Sequence, residues 1–124
     1  MIEIELENRS GADVDEQAAG DLARRVLAVE GIDAGELGLV FVDLDESRAL
    51  KRQHLGIDEA TDALAFPIDA RDELPDGLPR QLGDVVICPQ VVGEAWRAPL
   101  VHALLHLLGY DHGEAMEERE GAYT

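Results

Sequence analysis

Three of the four histidines in this chain lie in the segment HALLHLLGYDH, at positions 102, 106 and 112. On a helix, His102 and His106 would share one face, with their Cβ atoms about 5–6 Å apart. Two such imidazoles can bind one zinc ion, each at about 2.0–2.1 Å. Gly109 can adopt the left-handed conformation that ends a helix, so the chain can turn back and bring His112 to the same ion. The spacing therefore predicts one Zn²⁺ per chain, with three histidine ligands and a fourth position for water, as in catalytic zinc sites.

The alternative interpretation is that these histidines are ordinary core or turn residues. The residues between them are apolar, so the helix should be buried on most sides. An imidazole buried there without a polar partner would cost free energy. For a single histidine the ordinary interpretation would be preferred, but three at this spacing favour metal binding. The fourth, His54, lies at the predicted end of a helix and is assigned no role.

The same histidine spacing, H-x-x-x-H-x-x-G-x-x-H, is the metal frame of the metzincin peptidases. In those enzymes a glutamate follows the first histidine and acts as the general base. Here that position is Ala103, which cannot accept a proton. A metallopeptidase is therefore the less favoured alternative. Phosphoester cleavage stays open, because the metal can itself activate water and stabilise phosphoryl oxygens.

Four strands and four helices are predicted around this segment. The strands fall at residues 2–7, 37–43, 63–67 and 83–89, where period-two alternation or β-formers predominate. The helices fall at about 13–30, 45–54, 99–108 and 114–120. This order predicts an α/β (α+β) fold, with a small central sheet of about four strands flanked by helices. The metal site would be zincin-like, on a helix followed by a glycine turn, within one domain of residues 1–124.

Local signals suggest where the first two helices begin and end. Asp13 with Glu16 resembles a capping box at the start of the first, and Asp45 can cap the second. Glycines at positions 31 and 56 stand where helix ends belong.

Charge and composition limit the class of protein. Acidic residues outnumber basic ones by 27 to 10, which gives a formal net charge of −17. Such a surface repels nucleic acids at long range, so DNA is not an expected partner. The single cysteine, Cys88, argues against an internal disulfide, and the first residues do not form a signal peptide. The apolar run at residues 99–108 is too short to span a bilayer, so we expect a cytoplasmic protein without membrane contact.

Three segments resemble one known family. VHALLHLLGYDH (residues 101–112) closely resembles the signature of the YbeY family, bacterial metal-dependent endoribonucleases that mature ribosomal RNA. TDALAFP (61–67) is similar to that family's TDVLSFP-like block, and LGDVVICP (82–89) is similar to its next strand. The resemblance implies that His102, His106 and His112 are zinc ligands. It also implies cleavage of single-stranded RNA by metal-activated water or hydroxide, in ribosomal RNA maturation and ribosome quality control.

The resemblance draws attention to further residues and to partners. Asp111 matches the aspartate of the family's GYDH and could orient a ligand histidine or bind water, although a role as a turn aspartate is an equal alternative. Arg48, Lys51 and Arg52 share a face of the second helix and could contact phosphates; the alternative is a solvated helix face. The implied partners are ribosomal RNA or the small ribosomal subunit.

Some positions depart from the family pattern. Leu55 stands where the family usually carries an arginine linked to activity, and Ala65 replaces a serine. The stretch between residues 89 and 102 is also shorter than usual. These departures concern substrate handling and spare the metal ligands. They lend weight to another alternative, a ribosome-associated binding factor whose metal site is mainly structural.

Overall fold

The computed structural model describes residues 2–69, 71–110 and 113–123, apart from the side chain of Glu114. Nine elements follow one another within those ranges: β1 (Ile2–Asn8), α1 (Glu16–Val29), β2 (Gly35–Phe41), α2 (Leu44–Leu55), β3 (Ala63–Pro67), β4 (Gln81–Ile87), α3 (Pro89–Val92), α4 (Arg97–Leu107) and α5 (Glu114–Gly121). The four strands and four longer helices predicted from the sequence are confirmed. The short α3 is an addition that sequence patterns did not predict.

The strands form one mixed sheet in the order β1-β2-β4-β3. β1, β2 and β4 are parallel neighbours, whereas β3 runs antiparallel to β4 at one edge. The predicted α/β architecture with a sheet of about four strands flanked by helices is therefore confirmed. The position of β3 matters most for the site, because the opposite edge of this strand has no strand partner among the described residues.

Alternating residues of the central strands build two apolar layers. In β2, Leu37, Leu39 and Phe41 point to the larger core, which α1, α4 and α5 cover. On the other face, Val42 packs in a smaller cluster with Leu50 of α2. The second face is covered only in part: β1 alternates inward apolar residues with exposed glutamates, whereas β4 is buried along most of its length.

Two helices begin at different residues from those predicted. The N-cap of α1 is Asp15, not Asp13, and its carboxylate accepts a hydrogen bond from the Ala18 N–H at 3.0 Å. The N-cap of α2 is Asp43, not Asp45, and it accepts from the Glu46 N–H at 2.8 Å. The reason is physical: a cap carboxylate serves an N–H two or three residues ahead, and this acidic chain offers a carboxylate at several suitable positions.

α4 is the most apolar helix and lies inside the protein. Its buried side chains face α1, α5, β3 and β4. Among the described helices, none is both long enough and apolar enough to cross a membrane. Pro99 lies in the first turn of α4, as predicted, where its missing N–H disrupts no helical bond.

Candidate active site

His102 and His106 project from one face of α4. Their ring centroids lie 4.8 Å apart and the two planes meet at 78°. Both residues are half-buried, whereas Ala103, Leu104 and Leu105 between them are buried in the core. The structure therefore brings these two imidazoles together at the surface of an otherwise apolar helix. The helical spacing of four residues, with apolar neighbours packed inward, produces that arrangement.

The two histidines line a cleft of about 560 Å³, called here the α4 cleft. Its walls are the C-terminal half of α2, the edge strand β3 and α4. The lining residues are Lys51, Leu55, Thr61, Asp62, Ala63, Leu64, Ala65, Pro67, His102, Ala103 and His106. The segment singled out by its resemblance, residues 61–67, thus lies beside the histidines, although it is distant from them in sequence.

A buried serine holds the wall of the α4 cleft in place. Ser47 of α2 is 1% exposed. Its hydroxyl donates to the Thr61 carbonyl at 3.1 Å and accepts from the Thr61 N–H at 3.0 Å. This reciprocal pair ties the start of β3 to α2. No motif pointed to Ser47; the only signal was a small polar residue on the inward face of an amphipathic helix.

The C-terminal helix also reaches the site. Oε1 of Glu120 in α5 is in hydrogen-bond contact with Nδ1 of His102. Both side chains are partly exposed, 29% for Glu120 and 38% for His102. Glu120 was not predicted as a site residue. A single acidic residue in an acidic tail carries no periodic or motif signal that would distinguish it.

The turn after α4 has the predicted form up to Tyr110. Gly109 has a φ of 101°, a conformation that favours glycine. The Tyr110 N–H donates to the Leu105 carbonyl at 3.0 Å, which bends the chain back over the helix end. His112 and Asp111 lie outside the described residues. Within the described ranges, no three His, Cys, Asp or Glu side chains are grouped closely enough to hold a metal.

A buried carboxylate, Glu30, forms hydrogen bonds with the turn that follows α4. Glu30, the C-cap of α1, has a side chain that is 1% exposed. It accepts hydrogen bonds from Tyr110 Oη at 2.7 Å, Tyr123 Oη at 2.8 Å, Arg119 Nε at 3.0 Å and Arg71 Nη2 at 3.3 Å. We call these five residues the Glu30 network. Because Arg71 also donates from Nε to the Leu108 carbonyl at 3.2 Å, the network fixes the end of α4.

The ionisation of Glu30 reflects this environment. Burial raises the pKa of the carboxyl group, but the hydrogen bonds from Arg119, Tyr110 and Tyr123 outweigh burial and lower the pKa below its ordinary value of 4.5. Burial and the hydrogen bond to Glu30 raise the pKa of Tyr123. Glu30 is therefore a carboxylate at neutral pH, and its charge is balanced by two guanidinium groups.

The three basic residues of α2 face different surroundings. Arg48 forms two bonds with Asp58, at 2.7 and 2.9 Å, and Arg52 approaches the same carboxylate at 3.8 Å. Lys51 instead lines the α4 cleft, with its side chain 15% exposed and Nζ 2.9 Å from Glu59. The helix face predicted from spacing thus divides into one residue in the cleft and two beside Asp58.

Comparison with known proteins agrees with this fold. The family model described as Endoribonuclease YbeY matches residues 3–122. An endoribonuclease YbeY of Salinispora tropica is 39% identical, over 94% of this chain and 87% of its own length. Another from Nocardia farcinica is 37% identical, over 94% of this chain and 73% of its own length. The solution structure of TM1509 from Thermotoga maritima covers 99% of this chain and 86% of its own, with 25% identity and a TM-score of 0.61.

The fold, the cleft and these relatives together define a hydrolase of the endoribonuclease class. The chain belongs to the YbeY family. The resemblance that the histidine segment and the two strand blocks suggested is therefore confirmed. An RNA substrate follows from the family, whereas the cut site and the residues that carry out the reaction are matters for proposal.

Proposed function

We propose that this protein is a zinc-dependent endoribonuclease that cleaves single-stranded RNA during ribosomal RNA maturation and ribosome quality control in the cytoplasm. The observation that carries the proposal is the pair of imidazoles, His102 and His106, 4.8 Å apart at the α4 cleft of a YbeY-family chain. The cleft also presents a cation, Lys51, and apolar side chains from α2 and β3. RNA offers matching phosphates and bases.

The described residues fit a zinc ion. His102 and His106 would supply two imidazole nitrogens on one side of the cleft, and the Glu120 contact is of the kind that orients ligand histidines. His112 would be the third ligand and Asp111 a nearby carboxylate for a ligand histidine or a water molecule. When bound, zinc supplies Lewis-acid chemistry: it acidifies water and offsets negative charge on phosphoryl oxygens.

The chain's own residues bind and orient the substrate. Lys51 would contact a phosphate beside the scissile bond, and Leu55 and Pro67 would offer apolar contacts to a base. Ala103 lines the cleft directly after His102, so the position occupied by the peptidase base offers no proton acceptor. This favours phosphoester over peptide cleavage. Arg48 and Arg52 lie outside the cleft, where the Asp58 carboxylate offsets their charge.

The direct test is metal-dependent cleavage of labelled RNA by the whole protein. Metal-analysed protein is incubated with single-stranded RNA, with duplex RNA and with single-stranded DNA. We expect cleavage of the first alone, its loss in a strong chelator, and its return when zinc is added. If the chelator removes zinc but the zinc-loaded protein cleaves no RNA, a ribosome-associated binding factor is favoured instead. Casein hydrolysis would favour the metallopeptidase.

Substitution of Lys51 should specifically weaken substrate binding. In Lys51→Met, one phosphate contact is lost while the apolar part of the side chain is kept, so KM should rise and the cut sites should stay unchanged. The slope of log affinity against log salt should fall by about 0.7 per lost contact. Arg48→Met is the matched control, because it removes the same charge from the same helix beside Asp58, outside the cleft.

A second variant tests the side of the cleft where the family carries arginine. Leu55 is 57% exposed and lines the α4 cleft, so an arginine there can reach the same substrate without disturbing the core. Adding Leu55→Arg to Lys51→Met should restore part of the lost affinity and steepen the salt slope again. Unchanged KM in Lys51→Met would contradict the proposed phosphate contact.

A further inference from the structure

We infer that Glu120 is a positioning residue that holds His102 in the tautomer with Nδ1 protonated, so that Nε2 is the atom presented to the metal. The inference rests on the proposed function, because it assigns a role to α5 in that site. The observation is the contact between Glu120 Oε1 and His102 Nδ1. It assigns chemistry to a helix that the histidine motif itself does not include.

The chemistry of the two groups sets the direction of the hydrogen bond. A carboxylate oxygen accepts hydrogen bonds, so Nδ1–H of His102 is the donor of the bond to Glu120. A neutral imidazole with its proton on Nδ1 has its lone pair on Nε2. Metal ligation needs that lone pair. A carboxylate on the far nitrogen also restricts rotation of the ring and raises the basicity of the ligand.

The position of Glu120 is fixed by the Glu30 network. The preceding residue, Arg119, donates to the buried Glu30 from Nε at 3.0 Å, and Tyr123 donates to the same carboxylate at 2.8 Å. On the same helix, Met116 is 1% exposed within the main core. Contacts before and after Glu120 therefore anchor α5 against the rest of the protein. The backbone that carries Glu120 is part of this packed structure.

The competing explanation is an ordinary surface ion pair, since both side chains are partly exposed and such pairs contribute little. Removing Glu120 also removes a negative charge near the metal, which would weaken cation binding without any positioning role. Glu118 separates these effects. It is an exposed glutamate on the same helix, so Glu118→Ala removes the same charge without the contact to His102.

The first measurement is zinc affinity of the whole protein, by competition with a chromophoric chelator. Glu120→Ala should weaken zinc binding by about 10–100-fold, as loss of an outer-shell partner does elsewhere. Glu120→Gln keeps an oxygen that can accept from Nδ1–H, so it should recover most of that loss. Glu118→Ala should bind zinc like the unaltered protein. Equal affinity in all four proteins would overturn the inference.

The second measurement is the tautomer of His102 by long-range ¹H–¹⁵N correlation in the metal-free protein, at a pH where the ring is neutral. We expect the Nδ1–H form in the unaltered protein and in Glu120→Gln, and a shift toward Nε2–H in Glu120→Ala. An Nε2–H ring in the unaltered protein would overturn the inference without any variant. If the unaltered protein binds zinc but Glu120→Ala changes neither readout, only this inference fails; if it binds no zinc, the proposed function fails as well.

Discussion

His106→Ala should lose most of its zinc and cleave RNA far more slowly than the unaltered protein. His106 lies in the last turn of α4 and faces the α4 cleft, where no other described histidine except His102 is present. Removing one of the three proposed ligands would leave a site that holds the ion poorly and orients substrate badly. The loss in zinc affinity should exceed the loss of about 10–100-fold that follows removal of an outer-shell partner. Elemental analysis after gel filtration and the rate of cleavage of labelled RNA are the two measurements.

The variant should remain folded, which makes the comparison clean. His106 is half-buried, and alanine is the residue that helices tolerate best. The thermal midpoint of the metal-free protein should therefore change little. His54→Ala is a matched control, because that ring lies against Phe66 at 4.7 Å and does not line the cleft. Full zinc occupancy in His106→Ala would contradict the metal assignment. Loss of zinc with unchanged cleavage would contradict the catalytic role of the metal.

The elements could be predicted because their signals are local. The strict alternation in residues 2–7 and the β-formers of residues 37–43 reflect which face of a strand is buried. The first segment is part of β1, and the second forms β2, with bounds two residues earlier than predicted. Gly56 ends α2 with a φ of 70°, as its position after the helix indicated. The N-caps were wrong by two residues in both helices. Asp13 and Asp45 have the same chemistry as the true caps, so residue type alone does not choose between neighbours.

The support for the site could not be predicted because it joins distant parts of the chain. Glu30 and Arg119 are 89 positions apart, and Arg71 is 41 positions from Glu30. No periodicity relates them. One signal was available: a glutamate at the C-terminal end of a helix is unfavourable beside the helix dipole, which suggests that something else holds it there.

The separation of the basic residues on α2 has a similar origin. Spacing alone predicts that Arg48, Lys51 and Arg52 share one face of α2. The following loop then brings Asp58 to Arg48 and Arg52, and Glu59 to Lys51. Which cation remains in the cleft depends on that loop. Sequence patterns carry no information about its path, because loops have no period.

Glu30→Ala should lower the free energy of unfolding by about 3 kcal/mol, the lower end of the cost of removing one partner from a buried ion pair. The variant leaves two tyrosine hydroxyls and two guanidinium groups without their common acceptor. The cost stays at the lower end because Arg71 and Arg119 are 42% and 38% exposed and can be hydrated. Urea unfolding at neutral pH measures it. Glu46→Ala is the control: it removes a surface partner of Arg9 and should cost less than about 1 kcal/mol.

The pH dependence of that effect distinguishes the carboxylate's charge from its shape. The folded protein lowers the pKa of Glu30 below 4.5, so the unfolded chain binds this proton more readily than the folded one. The stabilisation is therefore fully present above about pH 4.5 and is lost as the pH falls through the lowered folded pKa. In Glu30→Gln, which keeps the shape and one oxygen acceptor, the deficit relative to the unaltered protein should shrink over that acidic range. A deficit that stays constant well below pH 4.5 would show that the ionic bonds to Arg71 and Arg119 are not its source.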